Sequence, residues 1–385
     1  MKKYIIPILL AVLVFCITVF FQRFTILRQE GLGLFLNTPD FYRALFFDAF
    51  PLSNLIGSFL VQFYSNFYVG SAIVAIIVVS EYLVVRAILA RLGIKAESLC
   101  MLCACTAWFF IAKAANPSMG VAILLCSSVP LIALALILGR KISARHALPK
   151  AVDIVCCIIV AASASSLVAL HHDIREGEKW SRIEFAAVQG EWKFLLKNAT
   201  PRMAQKDMNI VPYALLALNA QGRLADEIDR YPLMENLGLD YGDEVSYRRS
   251  LFDAVLYYNL GCYNEAIHRT HQCGDFLPHC TSFRTLRMLV KENYALGDSL
   301  MVVKYCDILD KSLTHKEFTS YFRQNPCPQR VPDSARVSSE SLLIVTNDPM
   351  EIMLRLGRAG INSPMIMERY YAYFKLREYY RTHKQ

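Results

Sequence analysis

The chain has 385 residues, of which 55% are hydrophobic and 19% are charged, and its mean hydropathy is +0.31. This is too apolar for a soluble protein of that size, so part of the chain is expected to face lipid. The first 170 residues carry 13 Lys+Arg and 6 Asp+Glu, whereas the last 215 carry 28 and 27. Because the second part is nearly neutral and lacks a basic face, the composition argues against a nucleic-acid partner.

Five apolar stretches predict five membrane-spanning helices in an all-α fold. They cover about residues 4–21, 67–90, 98–116, 119–138 and 151–170, and their lengths are near that of a membrane span. The first stretch follows Lys2 and Lys3 and lacks the small residues of a signal-peptide cleavage site, which favours a retained anchor. Residues 1–170 are therefore predicted to form a five-helix transmembrane domain embedded in the lipid bilayer.

Lysine and arginine residues predict the orientation, because short loops rich in them stay in the cytoplasm. With a cytoplasmic N-terminus, nine basic residues fall inside: Lys2, Lys3, Arg86, Arg91, Lys95, Arg140, Lys141, Arg145 and Lys150. Four fall outside: Arg23, Arg28, Arg43 and Lys113. A sixth span over 51–65 would contain Asn54 and Gln62 and would move the later basic clusters outside, so five spans are preferred. An odd number of spans places residues 171–385 in the periplasm of a Gram-negative cell, beyond its inner membrane.

The stretch between the first two spans, residues 23–66, is predicted to lie at the outer membrane surface. Thr38, Pro39 and Asp40 read as a helix N-cap, a proline at the first helical position and an acid in the first turn. The aromatic-rich helix that follows is typical of an interfacial element, with 54–63 as a second interfacial or re-entrant piece. Anchorage is the preferred role. The alternative is that Glu30, Asp40 or Asp48 serves a lipid-linked substrate.

Glu81 is the one acid well inside a predicted span. Burying a carboxylate there costs about 2.5–3.5 kcal/mol unless it is paired or protonated. Arg86 lies five positions further on, at an unfavourable angle for a pair within one helix. A contact elsewhere in the bundle and a structural role are therefore expected, with a proton or ion pathway as the alternative.

Residues 171–385 show amphipathic helices that are interrupted by regularly spaced glycines. Gly222, Gly261 and Gly297 each separate two helical segments, and their spacings are 39 and 36 residues (261 − 222 and 297 − 261). These spacings are near the period of tetratricopeptide repeats, so an α-solenoid of helical hairpins is predicted. Residues 325–340 read as a proline-rich linker, followed by closing helices at about 349–359 and 363–381.

The middle repeat is the closest to the tetratricopeptide pattern. The residues that resemble its consensus are Tyr257, Gly261, Tyr263, Glu265, Ala266 and Pro278. Gly261 is predicted to lie in a tight turn, with Leu256, Leu260 and Ala266 facing the solenoid core. Asn264 is expected on the solvent-facing side.

The same region contains cysteine and histidine residues that could form a disulfide or bind a metal. Cys273 and Cys280 could close a short disulfide loop, although reduced buried thiols are preferred. The ligand types of a zinc site occur at His268, His271, Cys273, His279 and Cys280, but their spacing matches no standard zinc module. His171, His172 and Asp173 read as polar residues at the membrane interface. No catalytic, cofactor-binding or metal-binding residue is assigned, and no cofactor is expected, because the chain carries none of the common catalytic motifs.

The segments QRFTILRQEGLGLFLNTPDFYRALFFDAF, VPYALLALNAQGRLADEIDRY and LRMLVKENYALGDSLMVVKYCDIL resemble a family of uncharacterised multi-pass membrane proteins of gut-type Gram-negative bacteria. The resemblance implies a tetratricopeptide-like C-terminal region and no particular activity. The sequence is compatible with two functions. The first is a non-enzymatic scaffold whose periplasmic repeats bind a protein partner. The alternative is a membrane transferase that acts on a lipid-linked sugar through acids of the outer loop.

Overall fold

The computed structural model describes residues 4–48, 50–91, 96–113, 121–122, 149–227, 230–232, 246–259, 261 and 263–328. Within these ranges all regular structure is helical and no strand is present, which confirms the all-α prediction. The chain divides into two compact units. Unit 1 comprises Met1–Ser181 with Lys311–Thr314, and unit 2 comprises Arg182–Asp310 with His315–Gln385.

The helices of unit 1 follow the apolar stretches of the sequence. They are α1 (Ile5–Phe21), α2 (Arg23–Leu32), α3 (Pro39–Phe46), α4 (Pro51–Val61), α5 (Phe67–Arg91), α6 (Glu97–Lys113), α7 (Lys150–Leu170) and α8 (His172–Gln189), which continues into unit 2. A 3-10 helix, Gln62–Ser65, precedes α5. Except for residues 121–122, the predicted span at 119–138 lies outside the described residues.

Two helices among the described residues are long and apolar enough to cross a membrane, Phe67–Arg91 and Ala151–Leu170. A third candidate is the pair α1 and α2, which is bent by 81°. Helix α6 has 17 residues, and α4, within the rejected sixth span, has 11, compared with about 20 for a typical span. The described chain therefore contains two or three candidate spans.

The direction of the unit 1 helices follows from contacts at their ends. Arg86, near the end of α5, pairs with Glu97 at the start of α6 (2.8 Å), so α5 and α6 are antiparallel. Asp153, in the first turn of α7, accepts hydrogen bonds from the amides of Glu97 and Ser98, both at 2.9 Å. Helices α6 and α7 therefore begin at the same end of the unit, which we call the Arg86 end.

The opposite end of unit 1, which we call the Asp173 end, holds the ends of α1, α6 and α7. Lys113, the last residue of α6, pairs with Asp173, three residues after α7 ends (2.9 Å). The Arg23 guanidinium lies 4.1 Å from the ring centroid of Phe67, the first residue of α5. Helices α6 and α7 therefore run parallel, and Lys113 and Lys150 lie at opposite ends of this pair.

The bend between α1 and α2 is stabilised from a distant part of the chain. Glu178 accepts hydrogen bonds from the amides of Phe24 (3.0 Å) and Thr25 (2.8 Å) and from the Thr25 hydroxyl (2.8 Å). These amides are among the unsatisfied donors at the start of α2, so the buried carboxylate caps that helix. An added Cβ on Gly70 would lie 2.5 Å from Ile26 Cγ2, so glycine at this position of α5 allows α2 to approach closely.

Helix α3 begins as the sequence predicts. The Thr38 hydroxyl accepts a hydrogen bond from the amide of Phe41 (3.3 Å), and Pro39 occupies the first helical turn. Phe41 and Leu45 are buried, whereas Phe46 and Phe47 are 78% and 89% exposed. An exposed aromatic pair beside a buried face is the pattern expected of an interfacial helix.

Unit 2 is a succession of short helices, most of which pack on the next described helix or on the one after it. They are α9 (Trp192–Asn198), α10 (Pro201–Lys206), α11 (Val211–Ala220), α12 (Leu224–Glu227), α13 (Tyr247–Asn259), α14 (Tyr263–Gly274), α15 (Phe283–Leu296), α16 (Ser299–Leu309) and α17 (Lys316–Gln324). Helix α13 packs on α14, α14 on α15 and α15 on α16. The predicted closing helices, nearly all of the linker 325–340, and residues Leu260 and Cys262 lie outside the described residues.

The predicted glycines occupy the turns between these helices. Gly222, Gly261 and Gly297 have φ of +66°, +76° and +81°, a left-handed conformation that glycine adopts without steric cost. Around Gly261, Leu256 and Ala266 are fully buried and Asn264 is exposed, as predicted. Gly190, with φ of +71°, forms a similar turn between α8 and α9 that the sequence analysis missed.

Candidate functional site

A buried ion cluster joins three helices of unit 2. Glu184, on α8, is fully buried. Its carboxylate lies 3.4 Å from Arg248 Nε and 3.2 Å from Arg284 Nη1. Arg284 Nη1 also donates to the hydroxyl of Tyr247 (3.3 Å). Because α8, α13 and α15 all contribute, the cluster fixes the positions of these three helices.

A cavity of about 350 Å³ lies beside these helices, within unit 2. Its walls come from the turn around Gly190 and from α13, α15 and α17. The lining is mostly apolar, and its aromatic members are Trp192, Tyr258, Tyr294, Tyr321 and Phe322. One basic and one acidic side chain, Lys291 and Glu292, also line it. A concave apolar cavity with few polar groups is the usual form of a binding site.

Glu292 is the most unusual residue of this cavity, because it is a carboxyl group that is only 1% exposed. Its Oε1 accepts a hydrogen bond from the Thr270 hydroxyl (2.7 Å). Its Oε2 is buried and has no hydrogen-bond partner among the described residues. Burial raises the pKa of Glu292 to about 8, although the hydrogen bond from Thr270 opposes the rise. A group that titrates near neutral pH and keeps an unused oxygen is suited to binding a ligand.

Lys291 is half-buried on the adjacent position of α15. Burial lowers the pKa of its ammonium group, and the nearby charge of Arg287 lowers it further. Tyr258 and Tyr305 are affected by the charge of Glu292, because their pKa values are raised first by burial and then by charges that include this carboxylate. The charge of Glu292 therefore contributes to the raised pKa values of these two tyrosines.

The acids that the transferase hypothesis invokes have different surroundings. Glu30 is buried, at 3% exposure. The Asp40 side chain is 93% exposed and lies 3.9 Å from Arg43. Asp48 accepts a hydrogen bond from Asn54 (3.2 Å). Asp40 and Asp48 thus each have a local partner.

Glu81 is buried within α5, at 2% exposure. Arg86 is engaged with Glu97, which also accepts a hydrogen bond from the Tyr82 hydroxyl. The basic residue nearest to Glu81 in sequence thus interacts with the start of the next helix.

The cysteine and histidine residues near α14 do not form a metal site in the described part of the chain, where no group of three or more metal-ligating side chains comes together. Cys273 is buried, Cys280 is exposed, and both are free thiols. His271 lies 3.5 Å from the hydroxyl of Tyr305. At the Asp173 end of unit 1, His171 and His172 lie 4.0 and 3.7 Å from Asp173, which itself pairs with Lys113.

Glu184 and Glu292, the two acids that distinguish unit 2, are not among the residues predicted from the sequence. A signal for both existed. Glu184 is four residues after Trp180 and three before Ala187, and both neighbours are buried. Such spacing places an acid on the apolar face of a helix, and Glu292 stands likewise three residues after Leu289.

In the part of the chain that the structure describes, the fold is all-helical, with two or three candidate membrane spans and a unit of glycine-linked helices. The chain belongs to a family of unknown function (DUF6057), whose family model matches residues 1–177 and 117–348. No curated protein and no solved structure gives a significant match.

Proposed function

We propose that this protein is a multi-pass inner-membrane scaffold whose C-terminal helical repeats bind a protein partner in the periplasm. In this proposal residues 1–170 form a five-span transmembrane domain with a cytoplasmic N-terminus. Residues 171–385 form a tetratricopeptide-like α-solenoid. Its proposed role is non-enzymatic.

The charge distribution in unit 1 supports the proposed orientation. Arg86 and Lys150 lie at the Arg86 end, and Arg23 and Lys113 lie at the Asp173 end. The first pair was assigned to the cytoplasm from the sequence and the second pair to the periplasm. The parallel arrangement of α6 and α7 supports the proposal of a further span near 119–138. The 81° bend after α1 supports an interfacial segment at 23–66.

The glycine turns of unit 2 support the repeat architecture. With Gly190 included, the turn glycines are spaced by 32, 39 and 36 residues (222 − 190, 261 − 222 and 297 − 261). Hairpins that bury their apolar faces on neighbouring hairpins are characteristic of solenoids, which commonly bind partners along one face.

The observation that carries the binding role is the cavity, because its wall is built from α13, α15 and α17 together. Helices α13 and α15 are the first helices of successive hairpins, and α17 is the next described helix after the second hairpin. In this proposal one face of the repeats therefore presents a continuous site. Tyr321, which is 59% exposed, lies on the rim where a partner segment would enter.

Site-specific photo-crosslinking in intact cells tests this proposal. A benzoylphenylalanine residue replaces Tyr321 at the rim of the cavity, and in a matched variant it replaces Asn264, an exposed residue of α14. We expect a crosslinked protein species at position 321 and a weaker or absent one at 264. Equal crosslinking at both positions, or none at 321, would contradict a partner site at the cavity.

A further inference from the structure

The cavity of unit 2 combines an aromatic wall with a single buried acid. Trp192, Tyr258 and Tyr294 are half-buried around it, and Phe322 is 9% exposed. Glu292 supplies the one carboxyl group of the lining. Its Oε2 atom is buried without a hydrogen-bond partner among the described residues. Such an oxygen carries a desolvation penalty that a suitable ligand would remove.

We propose that this cavity binds a primary ammonium group, namely the side chain of a lysine presented by a bound protein segment, with Glu292 as its counter-ion. The inference rests on the proposed function, because it names the chemistry of the partner segment. The aliphatic stem of the lysine would lie along the aromatic rings. Because Glu292 is only 1% exposed, the side chains that cover its carboxyl group would have to move aside for the ammonium group to reach it.

The aromatic lining, the buried carboxyl group and the volume of the cavity all favour an ammonium ligand. Aromatic faces attract a cation, most strongly when the site is shielded from water. A buried carboxylate with an unused oxygen is stabilised by an opposite charge far more than by an apolar group. The volume of about 350 Å³ lies at the lower end of the range for ligand sites, which suits one side chain and its flanking backbone.

The groups that face Glu292 come from each neighbouring helix. They are Tyr258 on α13, Thr270 and Cys273 on α14, and Tyr305 on α16. On α15 itself, Lys291 lines the same cavity. Its positive charge would oppose a second cation, so Lys291 weakens the binding of an ammonium group in this proposal.

The protonation of Glu292 predicts how binding depends on pH. Because burial raises the pKa of Glu292 to about 8, the empty cavity holds a mostly protonated acid at pH 7. Binding of an ammonium ion has to release this proton. The affinity is therefore expected to rise with pH by up to about tenfold per unit below pH 8 and to level off above it.

The test uses the full chain in lipid nanodiscs and isothermal titration calorimetry. The probes are N-acetyl-lysine methylamide and its norleucine analogue, which lacks the charge. We expect the lysine probe to bind at least tenfold more tightly at pH 8. The Glu292→Gln variant should lose this preference, whereas Lys291→Met should keep or increase it. Equal binding of both probes, or a preference that survives Glu292→Gln, would overturn the inference.

Two further measurements test the role of the aromatic wall and separate the lysine-binding inference from the scaffold proposal. Trp192→Leu removes an aromatic wall without touching Glu292, and it should reduce the lysine preference in a variant whose circular dichroism spectrum is unchanged. Crosslinking from position 321 separates the two proposals. If the crosslink persists while the lysine preference is absent, the inference fails and the scaffold proposal stands. If the lysine probe binds but no crosslink forms, the scaffold proposal fails.

Discussion

Thr270 donates a hydrogen bond to Glu292 across the interface between α14 and α15, over 2.7 Å. Both residues are buried, at 0% and 1% exposure. This bond satisfies one oxygen of the acid and favours its charged form, yet burial has the larger effect on the pKa. Because the effect of burial exceeds that of the hydrogen bond, the carboxyl group of Glu292 changes its charge near neutral pH.

Glu292 should make the stability of the protein depend on pH. Its folded-state pKa of about 8 lies above the ordinary value of 4.5, so the folded chain binds more protons between these values. The stabilisation is complete below pH 4.5 and is lost as pH rises through about 8. The loss amounts to about 5 kcal/mol at most. Between pH 5 and 8 the wild type should lose stability relative to Glu292→Gln in denaturant unfolding of the full chain.

A matched control for this titration is Glu317→Gln, because Glu317 is an exposed carboxylate on α17. That variant should keep the pH dependence of the wild type. A wild type and a Glu292→Gln variant with parallel stability curves from pH 5 to 8 would mean that Glu292 is ionised throughout this range.

The buried ion cluster should be intolerant of losing one partner. Arg284→Met removes one of the two positive charges that pair with the buried Glu184 carboxylate. Breaking a buried ion pair in this way typically lowers the free energy of unfolding by about 3–5 kcal/mol. Arg323 pairs with Asp307 and Asp310 at a partly exposed site, where pairs contribute about 0–1 kcal/mol. Denaturant unfolding should therefore separate Arg284→Met clearly from Arg323→Met. If both variants lost a similar amount of stability, the buried ion cluster would contribute no more to stability than an exposed ion pair.

Local features of the fold follow from the sequence because their causes are local. The cap at Thr38 needs only Pro39 and the amide of Phe41, all within four residues. The turn at Gly261 needs a glycine between two amphipathic segments. In both places the residue types and the short-range spacing are sufficient to predict the conformation.

Other features depend on contacts between distant residues and could not be predicted in this way. Glu178 caps α2 from more than 150 positions away, and Asp153 caps α6 from 56 positions away. Glu292 lies at a helical position that an amphipathic pattern normally reserves for apolar residues. Its position in the cavity lining depends on α13 and α17, which form the other walls of the cavity.

The topology can be tested with a reporter fused after Gln385. The proposal expects active alkaline phosphatase at this position and an inactive cytoplasmic reporter, because the charge asymmetry favours a cytoplasmic Arg86 end. A second fusion after Arg91, within the proposed cytoplasmic loop, should give the reverse result. If the fusion after Gln385 behaves like the one after Arg91, the chain crosses the membrane an even number of times.

The hairpin around Gly261 provides the last prediction. Ala266 is fully buried where α14 packs on its neighbours, so Ala266→Arg places an unpaired charge in the core at a cost of several kcal/mol. Asn264, two positions earlier on the same helix, is exposed, and Asn264→Arg should change the stability by no more than about 0.5 kcal/mol. The comparison is made by denaturant unfolding of the full chain, followed by circular dichroism. Because a domain is typically stable by only 5–15 kcal/mol, Ala266→Arg should shift the unfolding midpoint clearly. Equal midpoints for the two variants would contradict the buried hairpin and remove the main support for the repeat architecture.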